Sequence, residues 1–384
     1  MRAVDLELDD THLFVQKTAR DFATRVVAPQ AADIDATERF PRATMRGLAD
    51  LGLMAINVPT ELGGAGAGVV AYALAMQEIA RACASTAAMM SVTNMVGEAI
   101  ACFGTDAQKQ SHCPRLASGE HVTGSFALSE PDAGSDPAGM RATATRDGNA
   151  WVLDGAKQWV TGGSYAGVFV VWARTAPPGT TGARGISCFL VDAGARGLKT
   201  GRPEDKMGIR ASNTVPLELD GVRIPADALL GRENGGFKIA MMALDGGRIG
   251  ISSQALGIAR AALAESVAYA KDRRAFGIPI AHHQAIQWKL ADMQTTIDAA
   301  HLLSIRAAWM KEHGTPFSKE AAMAKVFASE CAVRVCNEAV QIHGGYGYLR
   351  ELAAERHLRD ARVTMIYEGT SEIQRMVIGR SVVG

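Results

Sequence analysis

The sequence lacks an excess of charge of either sign. Its 384 residues include 40 Lys and Arg and 40 Asp and Glu, so the formal net charge at pH 7 is zero. A neutral chain exerts no general attraction on nucleic acid or on an anionic membrane. We therefore expect neither as a partner, and an anionic ligand would have to be held by a local site.

The sequence also lacks the patterns of a metal or hydrolase site. None of its six cysteines forms a CxxC pair, and no Cys/His cluster has zinc-finger spacing, which predicts buried thiols in a reducing compartment. His282, His283 and His343 have no partner at i+4, so no metal site is predicted. The chain contains no G-x-S-x-G motif, and a hydrolase triad therefore has no support.

Membrane and export signals are missing as well. No uncharged apolar run approaches the ~20 residues that span a bilayer. The acidic N-terminus lacks the apolar core of a signal peptide. We expect a soluble intracellular protein, cytoplasmic if bacterial, with no signal peptide or transmembrane segment.

The chain divides into three consecutive blocks that differ in their residue patterns. Residues 1–120 show helical periodicity, residues 121–231 resemble short strands and turns, and residues 232–384 form long Ala-rich helical patterns. The apolar content of the last helices exceeds one stripe, as in a helical bundle. The sequence predicts a mainly α fold: an N-terminal α-helical domain, an inserted β-barrel or sandwich, and a C-terminal α-helical bundle.

Turn signals give local predictions in the middle block. Asp154-Gly155 and Asp220-Gly221 each lie between two β-rich runs, which predicts two β-hairpins. Pro177-Pro178-Gly179 predicts a surface loop. The helix from Phe237 to Leu244 is predicted to be separate from the helix that begins at Arg248.

A glycine-rich segment, residues 63–68, precedes a helix in the first block. Gly66 to Ala71 fits a loose G-x-G-x-x-A fingerprint for dinucleotide binding. No second strand follows to complete a βαβ unit, which favours a simple turn.

Two polar loops in the β block are candidates for ligand binding. The segment Ser129 to Asp136 carries hydroxyls, a glycine and free backbone N–H groups, which can hold a phosphate or the polar edge of a ring. Trp159 stands near Thr161 and two glycines and can contact a flat aromatic ligand. An ordinary Asx or Ser turn and an edge tryptophan are the simpler alternatives.

Glu368 lies just before a predicted helix near the C-terminus. Ser371 and Gln374 fit a capping box, and the helix dipole favours an ionised carboxylate ahead of it. Desolvation in a closed cleft would raise the pKa of the same group. A base that removes a carbon-bound proton has to be ionised yet basic. The alternative is a solvated loop residue.

Seven segments in this order resemble the acyl-CoA dehydrogenase family, and the resemblance covers essentially the whole chain. The segments are FALSEPDAGS from Phe126, QWVT from Gln158, KMGIR from Lys206, LDGGR from Leu244, RRAFG from Arg273, QIHGG from Gln341 and IYEGTSEIQR from Ile366. The resemblance implies FAD bound between the β domain and the C-terminal bundle, usually in a homotetramer. Glu368 would be the base, and an electron-transfer flavoprotein the electron acceptor.

The resemblance also assigns further site residues. The FAD-binding positions would be Phe126, Leu128, Ser129, Gly134, Ser135, Trp159, Thr161, Arg273, Phe276, Gln284, Gln341, Gly344, Gly345, Thr370, Ser371 and Glu372, some of them from a neighbouring subunit. The substrate positions would be Ser135, Asp245, Arg248 and Gly369. One subgroup carries its base near Leu244 to Arg248, but Gly246 and Gly247 leave no carboxylate there. Asp245 is two places too early, which favours Glu368.

The substrate and the acceptor are less sharply defined. The pattern is closest to short-chain and short branched-chain (butyryl- or isobutyryl-CoA) members, which implies a role in fatty acid β-oxidation or branched-chain amino acid catabolism. Met89, Met90 and Met95 either narrow an acyl pocket or fill gaps in the core. An acyl-CoA oxidase that uses O2, a flavin monooxygenase on this scaffold and a non-catalytic helical binding protein are the alternatives.

Overall fold

The computed structural model describes residues 7–176 and 182–384 of the chain. Six helices form its first part: α1 Asp10–Phe22, α2 Ala31–Thr37, α3 Arg42–Asp50, α4 Gly68–Ala82, α5 Ala84–Phe103 and α6 Asp106–Ala117. A capping box of Thr105 and Gln108 begins α6. Residues 63–67 form a tight turn before α4 with left-handed glycines, so the turn interpretation of this segment is confirmed. The predicted loop at Pro177-Pro178-Gly179 lies outside the described residues.

One eight-stranded sheet follows. Its strands are β1 Thr123–Ala127, β2 Thr143–Asp147, β3 Ala150–Thr161, β4 Ala166–Arg174, β5 Ile186–Asp192, β6 Leu198–Thr200, β7 Thr214–Pro225 and β8 Leu229–Leu230. They run in the order β6-β7-β3-β2-β4-β5-β8, and β1 pairs in parallel with β4. Trp151, Phe169 and Phe189 belong to a core formed between the strands. Alternate residues such as Val168 and Trp172 pack instead with the helices, which fixes the sheet against them.

Both predicted hairpins are wrong. Asp154-Gly155 lies inside β3, and Asp220-Gly221 lies inside β7. The two strands pair with each other, and their register shifts between Leu153 and Gly155. The Asp154 carboxylate accepts a hydrogen bond from the Gly221 N–H at 2.9 Å. Each Asp-Gly step therefore serves a bulge between two long strands, because a bulge also needs the backbone freedom of glycine.

The last part of the chain is helical apart from a two-stranded hairpin. Its elements are α7 Gly236–Asp272, β9 Arg274–Ala275, β10 Ile278–Pro279, α8 Gln284–Glu312, α9 Ser318–His343, α10 Ala354–Val363 and α11 Ser371–Val383. The helix α7 continues through Gly246-Gly247, where a break was predicted. Within residues 7–176 and 182–384, no helix has both the length and the apolar character required to cross a bilayer.

The two glycines inside α7 have a packing reason. A Cβ atom at Gly246 would lie 2.5 Å from Lys311 Nζ, and one at Gly247 would lie 2.6 Å from Glu368 Oε2. Each glycine inside a helix costs about 1 kcal/mol relative to alanine. Tertiary packing outweighs that cost here, and the glycines admit neighbouring side chains against the helix.

Candidate active site

A cleft of about 1100 Å³ lies between the sheet and the C-terminal helices. Its walls come from β1 and the loop after it, the end of β3, α7, and the turn between α10 and α11. The sequence-predicted residues that line it are Phe126, Leu128, Ser129, Gly134, Ser135, Trp159, Thr161, Arg248, Glu368, Gly369 and Thr370. The fold thus brings four separate segments of the sequence together.

A buried ion pair shapes the loop after β1. Lys157 Nζ lies 2.8 Å from Glu130 Oε1, and their side chains are 0% and 6% exposed. The Glu130 carboxylate also accepts the backbone N–H groups of Arg141 and Ala142 at 2.6 and 3.0 Å. Loss of one partner would leave the other charge buried and uncompensated. The pair therefore fixes the loop that carries Ser129 to Ser135.

The end of β3 directs an aromatic side chain into the cleft. Trp159 has a φ of +62°, and the ladder to β7 changes register between Lys157 and Val160. Its indole is 60% exposed. The next lining residue, Thr161, has its carbonyl held by Ser125 Oγ at 2.7 Å. Bulges commonly redirect side chains beside active sites, and here the bulge offers a ligand a flat apolar surface.

Helical spacing explains the opposite walls. Along α7 the lining residues recur every three or four positions, as Phe237, Met241, Leu244, Arg248 and Ile251. Along α11 the lining residues follow the i, i+3, i+4, i+7 pattern of one helix face, as Ile373, Met376, Val377 and Arg380. Three further cations line the cleft, namely Lys206, Arg359 and Arg362. The cleft is therefore mainly apolar with several positive charges, which suits a large ligand with anionic groups.

Glu368 occupies the turn before α11 in an unusual conformation. Its φ is +53°, and that of Gly369 is +86°. A left-handed non-glycine residue costs roughly 1–2 kcal/mol and persists where its surroundings hold it. Gln374 Nε2 donates to the carbonyls of Glu368 and Gly369 at 3.1 and 2.8 Å, and Lys325 Nζ donates to the Gly369 carbonyl at 2.7 Å. The position of Glu368 is thus fixed by side chains of α9 and α11.

The Glu368 side chain combines burial with neighbouring positive charge. Although the residue is partly exposed as a whole, its Oε2 is buried and has no hydrogen-bond partner within the described residues. Burial raises the pKa of Glu368 to about 7, while Arg248 and then Lys325 act in the opposite direction. A carboxyl group that titrates near neutrality can be both ionised and basic, as a general base requires.

Two buried cations stand beside Glu368. Burial lowers the pKa of Lys325 to about 8, and the Glu368 charge partly offsets this effect. Arg248 forms an ion pair with Asp245, which also accepts a hydrogen bond from Ser318 Oγ at 2.7 Å. Asp245 does not line the main cleft; it borders a separate hollow of about 390 Å³. Its place in this structure is that of a residue that positions Arg248.

Several predicted FAD-binding residues lie elsewhere. Arg273, Phe276, Gln284, Gln341, Gly344 and Gly345 are at the β9–β10 turn, the start of α8 and the end of α9, and none lines the cleft. Phe276 is 97% exposed, and the guanidinium of Arg273 lies 5.7 Å from the centre of the Tyr346 ring. The resemblance assigns part of this group to a neighbouring subunit's cofactor, and that role stays a prediction.

The start of α11 differs by one residue from the prediction. Thr370 is the N-cap and its side chain accepts the N–H of Ile373 at 3.4 Å. Ser371 is buried, Glu372 is exposed, and neither lines the cleft. Gln374 does not take part in a capping box with Ser371, because its amide is directed to the two carbonyls of the Glu368 turn.

Sequence reasoning missed Lys325, Lys157 and Gln374 as parts of this site. A lysine in an Ala-rich helix or inside a strand is usually exposed, whereas Lys157 and Lys325 are fully buried. One feature of the sequence pattern indicates that Lys325 is unusual, because this lysine interrupts the apolar face of α9. Its partner, however, is 44 residues away in sequence.

The cleft fits the flavin that the resemblance implies. Four of its large apolar side chains are exposed, namely Trp159, Met207, Ile366 and Met376. An exposed apolar group of this kind commonly marks a binding site. The hydroxyls of Ser129, Ser135 and Thr161 lie along the same lining, and α11 begins beside it. A helix N-terminus favours a phosphate, so the residues suit a flat ring joined to a pyrophosphate.

Comparison with known proteins gives matches along nearly the whole chain. Three family models match: acyl-CoA dehydrogenase N-terminal domain at residues 9–120, middle domain at 125–222 and C-terminal domain at 234–383. The mitochondrial short-chain specific acyl-CoA dehydrogenase of Bos taurus is 52% identical over 97% of this chain and 90% of its own. Butyryl-CoA dehydrogenase from Megasphaera elsdenii has a TM-score of 0.96 and 42% identity, covering 99% of this chain and 100% of its own.

A third relative carries a bound flavin. The glutaryl-CoA dehydrogenase of Mycobacterium smegmatis, in complex with FADH2, has a TM-score of 0.93 and 32% identity, and the match covers 98% of this chain and 95% of that one. The three family models and the identity to full-length relatives agree with the order of the helical, β and helical parts. The chain belongs to the acyl-CoA dehydrogenase family.

Proposed function

We propose that this chain removes two hydrogens from a short-chain acyl-CoA to give the trans-2-enoyl-CoA, with Glu368 as the base. As a member of the family, the protein is an FAD-dependent acyl-CoA dehydrogenase. The finer assignments concern the base, the length of the acyl group and the electron acceptor.

The Glu368 carboxylate is the observation that carries this proposal. It is the one carboxylate that lines the cleft together with the predicted flavin-contacting residues and also has a buried oxygen without a partner in the described structure. The other acidic lining residue, Asp136, lies in the exposed loop after β1. A buried, partnerless oxygen is free to accept a proton.

Each residue has a distinct part in the proposed reaction. Glu368 accepts the proton from the carbon next to the thioester carbonyl, and its own backbone N–H donates to the carbonyl oxygen where negative charge develops. Arg248 and Lys325 favour the ionised carboxylate before the reaction. FAD, when bound, supplies the acceptor for the hydride from the next carbon. The left-handed turn at Glu368 and Gly369 keeps the base and the N–H in a fixed relation.

Replacement of Glu368 by Gln tests the base. We expect the variant to keep its yellow flavin, while butyryl-CoA-dependent flavin reduction falls by about 10²–10⁴-fold or more. Glu61→Gln, which alters an exposed carboxylate at a 3₁₀ turn, is the matched control and should behave like the wild type. Flavin reduction at a near-normal rate in Glu368→Gln would overturn the assignment.

The pH profile gives a second test of the base. Because the ionised form is active, kcat/KM should rise with pH and level off above the pKa of the free enzyme, which is about 7. The Glu368→Gln variant should lose this rise. A wild-type profile that is flat between pH 6 and about 8 would contradict the assignment.

Methionine packing supports a short acyl group. Met89 and Met90 belong to the core next to α4, as gap-filling residues do, and do not line the cleft. Met95 is different, because a Cβ atom at Gly247 would lie 3.1 Å from its sulfur as well as next to Glu368. We propose that Met95 closes the space beyond the base. A panel of straight and branched acyl-CoAs from C4 upward tests this, and a preference for long chains would contradict it.

The electron acceptor is proposed to be an electron-transfer flavoprotein, as the resemblance implies. The alternative, an oxidase that uses O2, predicts stoichiometric peroxide without an added acceptor. A peroxide assay during butyryl-CoA turnover, with and without such a flavoprotein, distinguishes them. Membership of an enzyme family disfavours a non-catalytic binding protein. The presence of Glu368 between Tyr367 and Gly369 disfavours a flavin monooxygenase.

A homotetramer is also proposed. Large apolar side chains are exposed away from the cleft, including Trp288 and Leu302 on α8 and Phe276 at the β9–β10 turn. Subunit contacts would cover them, and Arg273 and its neighbours could then contact the cofactor of another subunit. Light scattering tests this, because each chain contributes 40.5 kDa. A monomeric, fully active flavoprotein would contradict it.

A further inference from the structure

A group of three potential metal ligands lies outside the cleft, where α6 meets the sheet. His112 is in α6, His121 lies between α6 and β1, and Asp192 is the last residue of β5. None of the three lines the cleft. The group is therefore separate from the catalytic residues and needs an account of its own.

The potential ligand atoms of the three residues lie close together. One nitrogen or oxygen atom from each residue lies within 4.8 Å of the other two. His112 Nδ1 is 4.0 Å from Asp192 Oδ1. The two imidazole rings are stacked with centres 5.9 Å apart and planes at 24°. At 4.0 Å, the His112 and Asp192 atoms are too far apart for a direct hydrogen bond.

Two of the three side chains are buried with an unpaired nitrogen. His112 and His121 are 8% and 3% exposed. Within the part of the chain that the structure describes, His112 Nδ1 and His121 Nε2 have no hydrogen-bond partner. Buried polar atoms are nearly always paired, so each exception calls for a reason.

Local packing fixes the His121 ring. The His121 backbone N–H donates to the Arg115 carbonyl at 2.8 Å. A Cβ atom at Gly167 in β4 would overlap His121 Nδ1, so this face of the ring rests directly on the strand. The buried, unpaired nitrogen of this ring is Nε2, which is the atom proposed to bind a ligand. A ring held in this way is preorganised for binding.

We propose that His112, His121 and Asp192 bind a divalent transition-metal ion of the zinc class and so join α6 to the sheet. Two imidazoles and a carboxylate are ligands that zinc prefers, and water completes a tetrahedral site. Ligand atoms around such a tetrahedral ion are about 3.4 Å apart, from bond lengths near 2.1 Å. The Asp192 side chain is 67% exposed and can rotate to close the remaining distance.

The consequence of binding is structural. His112 belongs to the first helical part and Asp192 to the β part, so the ion would cross-link two parts of the fold. An ion that binds only the folded state raises its stability by mass action. Zinc should therefore raise the midpoint of thermal unfolding without changing the flavin spectrum.

Zinc binding to the flavin-loaded enzyme tests the proposal. The enzyme is dialysed against EDTA and then chelator-free buffer, and zinc binding is measured by equilibrium dialysis with elemental analysis. We expect one ion per chain in the wild type and about 100-fold weaker binding in Asp192→Asn and His121→Gln. Mutation of a residue that only hydrogen-bonds to a metal ligand already lowers metal affinity by about 10–100-fold. His282→Gln, which alters an exposed histidine, is the matched control and should keep the ion.

Asp192→Asn keeps the test valid if a histidine variant fails to fold, because the aspartate is exposed. The zinc-induced rise in unfolding temperature should appear in the wild type and in His282→Gln and be absent in Asp192→Asn. Absence of saturable binding by the wild type would overturn the proposal. Binding that is equal in Asp192→Asn and the wild type would overturn it too, because surface histidines would then hold the ion.

Discussion

The burial of Glu368 predicts a cost in stability that depends on pH and that Glu368→Gln removes. The folded chain holds the pKa of this carboxyl at about 7, compared with 4.5 for the ordinary group. Below pH 4.5 both states bind the proton, and Glu368 contributes no pH-dependent cost. As pH rises from 4.5 to 7 the unfolded chain releases the proton first, so the folded state loses relative stability.

The size of the effect follows from the two pKa values. At about 1.4 kcal/mol for each pH unit that separates them, the full cost is about 3 kcal/mol above pH 7. Between pH 5 and 8 the change is about 2.5 kcal/mol, because part of the cost is already present at pH 5. A glutamine has no such titration. The stability of Glu368→Gln relative to the wild type should therefore increase over this interval.

Thermal or denaturant unfolding of the substrate-free enzymes at a series of pH values measures the effect. The decisive quantity is the change with pH in the difference between Glu368→Gln and the wild type, because any cost of burying the amide is constant and cancels. Glu61→Gln, which removes an exposed carboxylate, is the matched control. A difference for Glu368→Gln that is also constant from pH 5 to about 8 would refute the reasoning that burial raises this pKa.

Three further substitutions test the surroundings of the base. Lys325→Met removes a positive charge that lowers the pKa of Glu368, so the rise of kcat/KM should move to higher pH. Lys319→Met, in the first turn of α9, should leave the profile in place. An unchanged profile in both variants would contradict this role of Lys325. Gly247→Ala should displace the Glu368 carboxylate, because the new Cβ atom would lie 2.6 Å from Glu368 Oε2, and kcat should fall by about 10²-fold. Gly379→Ala is the control, because its Cβ atom would meet no atom within 4 Å. Equal activity of the two variants would contradict the packing argument. Met95→Ala should shift the preference in kcat/KM towards longer acyl-CoAs, and an unchanged order in a chain-length panel would contradict the proposed position of Met95.

The order of the helical, β and helical parts was predictable because each leaves a local signature in the sequence. Helices repeat every three or four residues and strands are rich in branched and aromatic residues. The errors came where glycine has more than one use. The sequence predicts hairpin turns at Gly155 and Gly221, but these glycines lie at bulges in paired strands. The sequence predicts a helix break at Gly246 and Gly247, but both lie within α7. Only the packed neighbours decide between these uses.

The same limit applies to the site. The position of Glu368 before a helix could be read from the sequence, but the groups that set its pKa could not. Lys325 is 44 residues from the turn that it holds, and Lys157 is 27 residues from Glu130. His112 and His121 are nine places apart, which matches no metal-binding spacing within one helix, and Asp192 joins them only through β5. Contacts of this kind depend on the tertiary fold and leave no local pattern.

The environment of Glu368 is a compromise between two opposing requirements. Burial alone would hold the carboxyl protonated at neutral pH, and such an acid could not take a proton from the substrate. Arg248 and Lys325 alone would hold it ionised but too weakly basic, because the carboxylate would be stabilised before the reaction begins. The structure uses both effects, and the pKa near 7 is their balance. Two glycines in α7, a left-handed turn and a buried lysine each lower stability on their own account. They occur together at Glu368 because these residues leave room for its carboxylate, fix its orientation and set its pKa near 7, as the proposed role of a base requires.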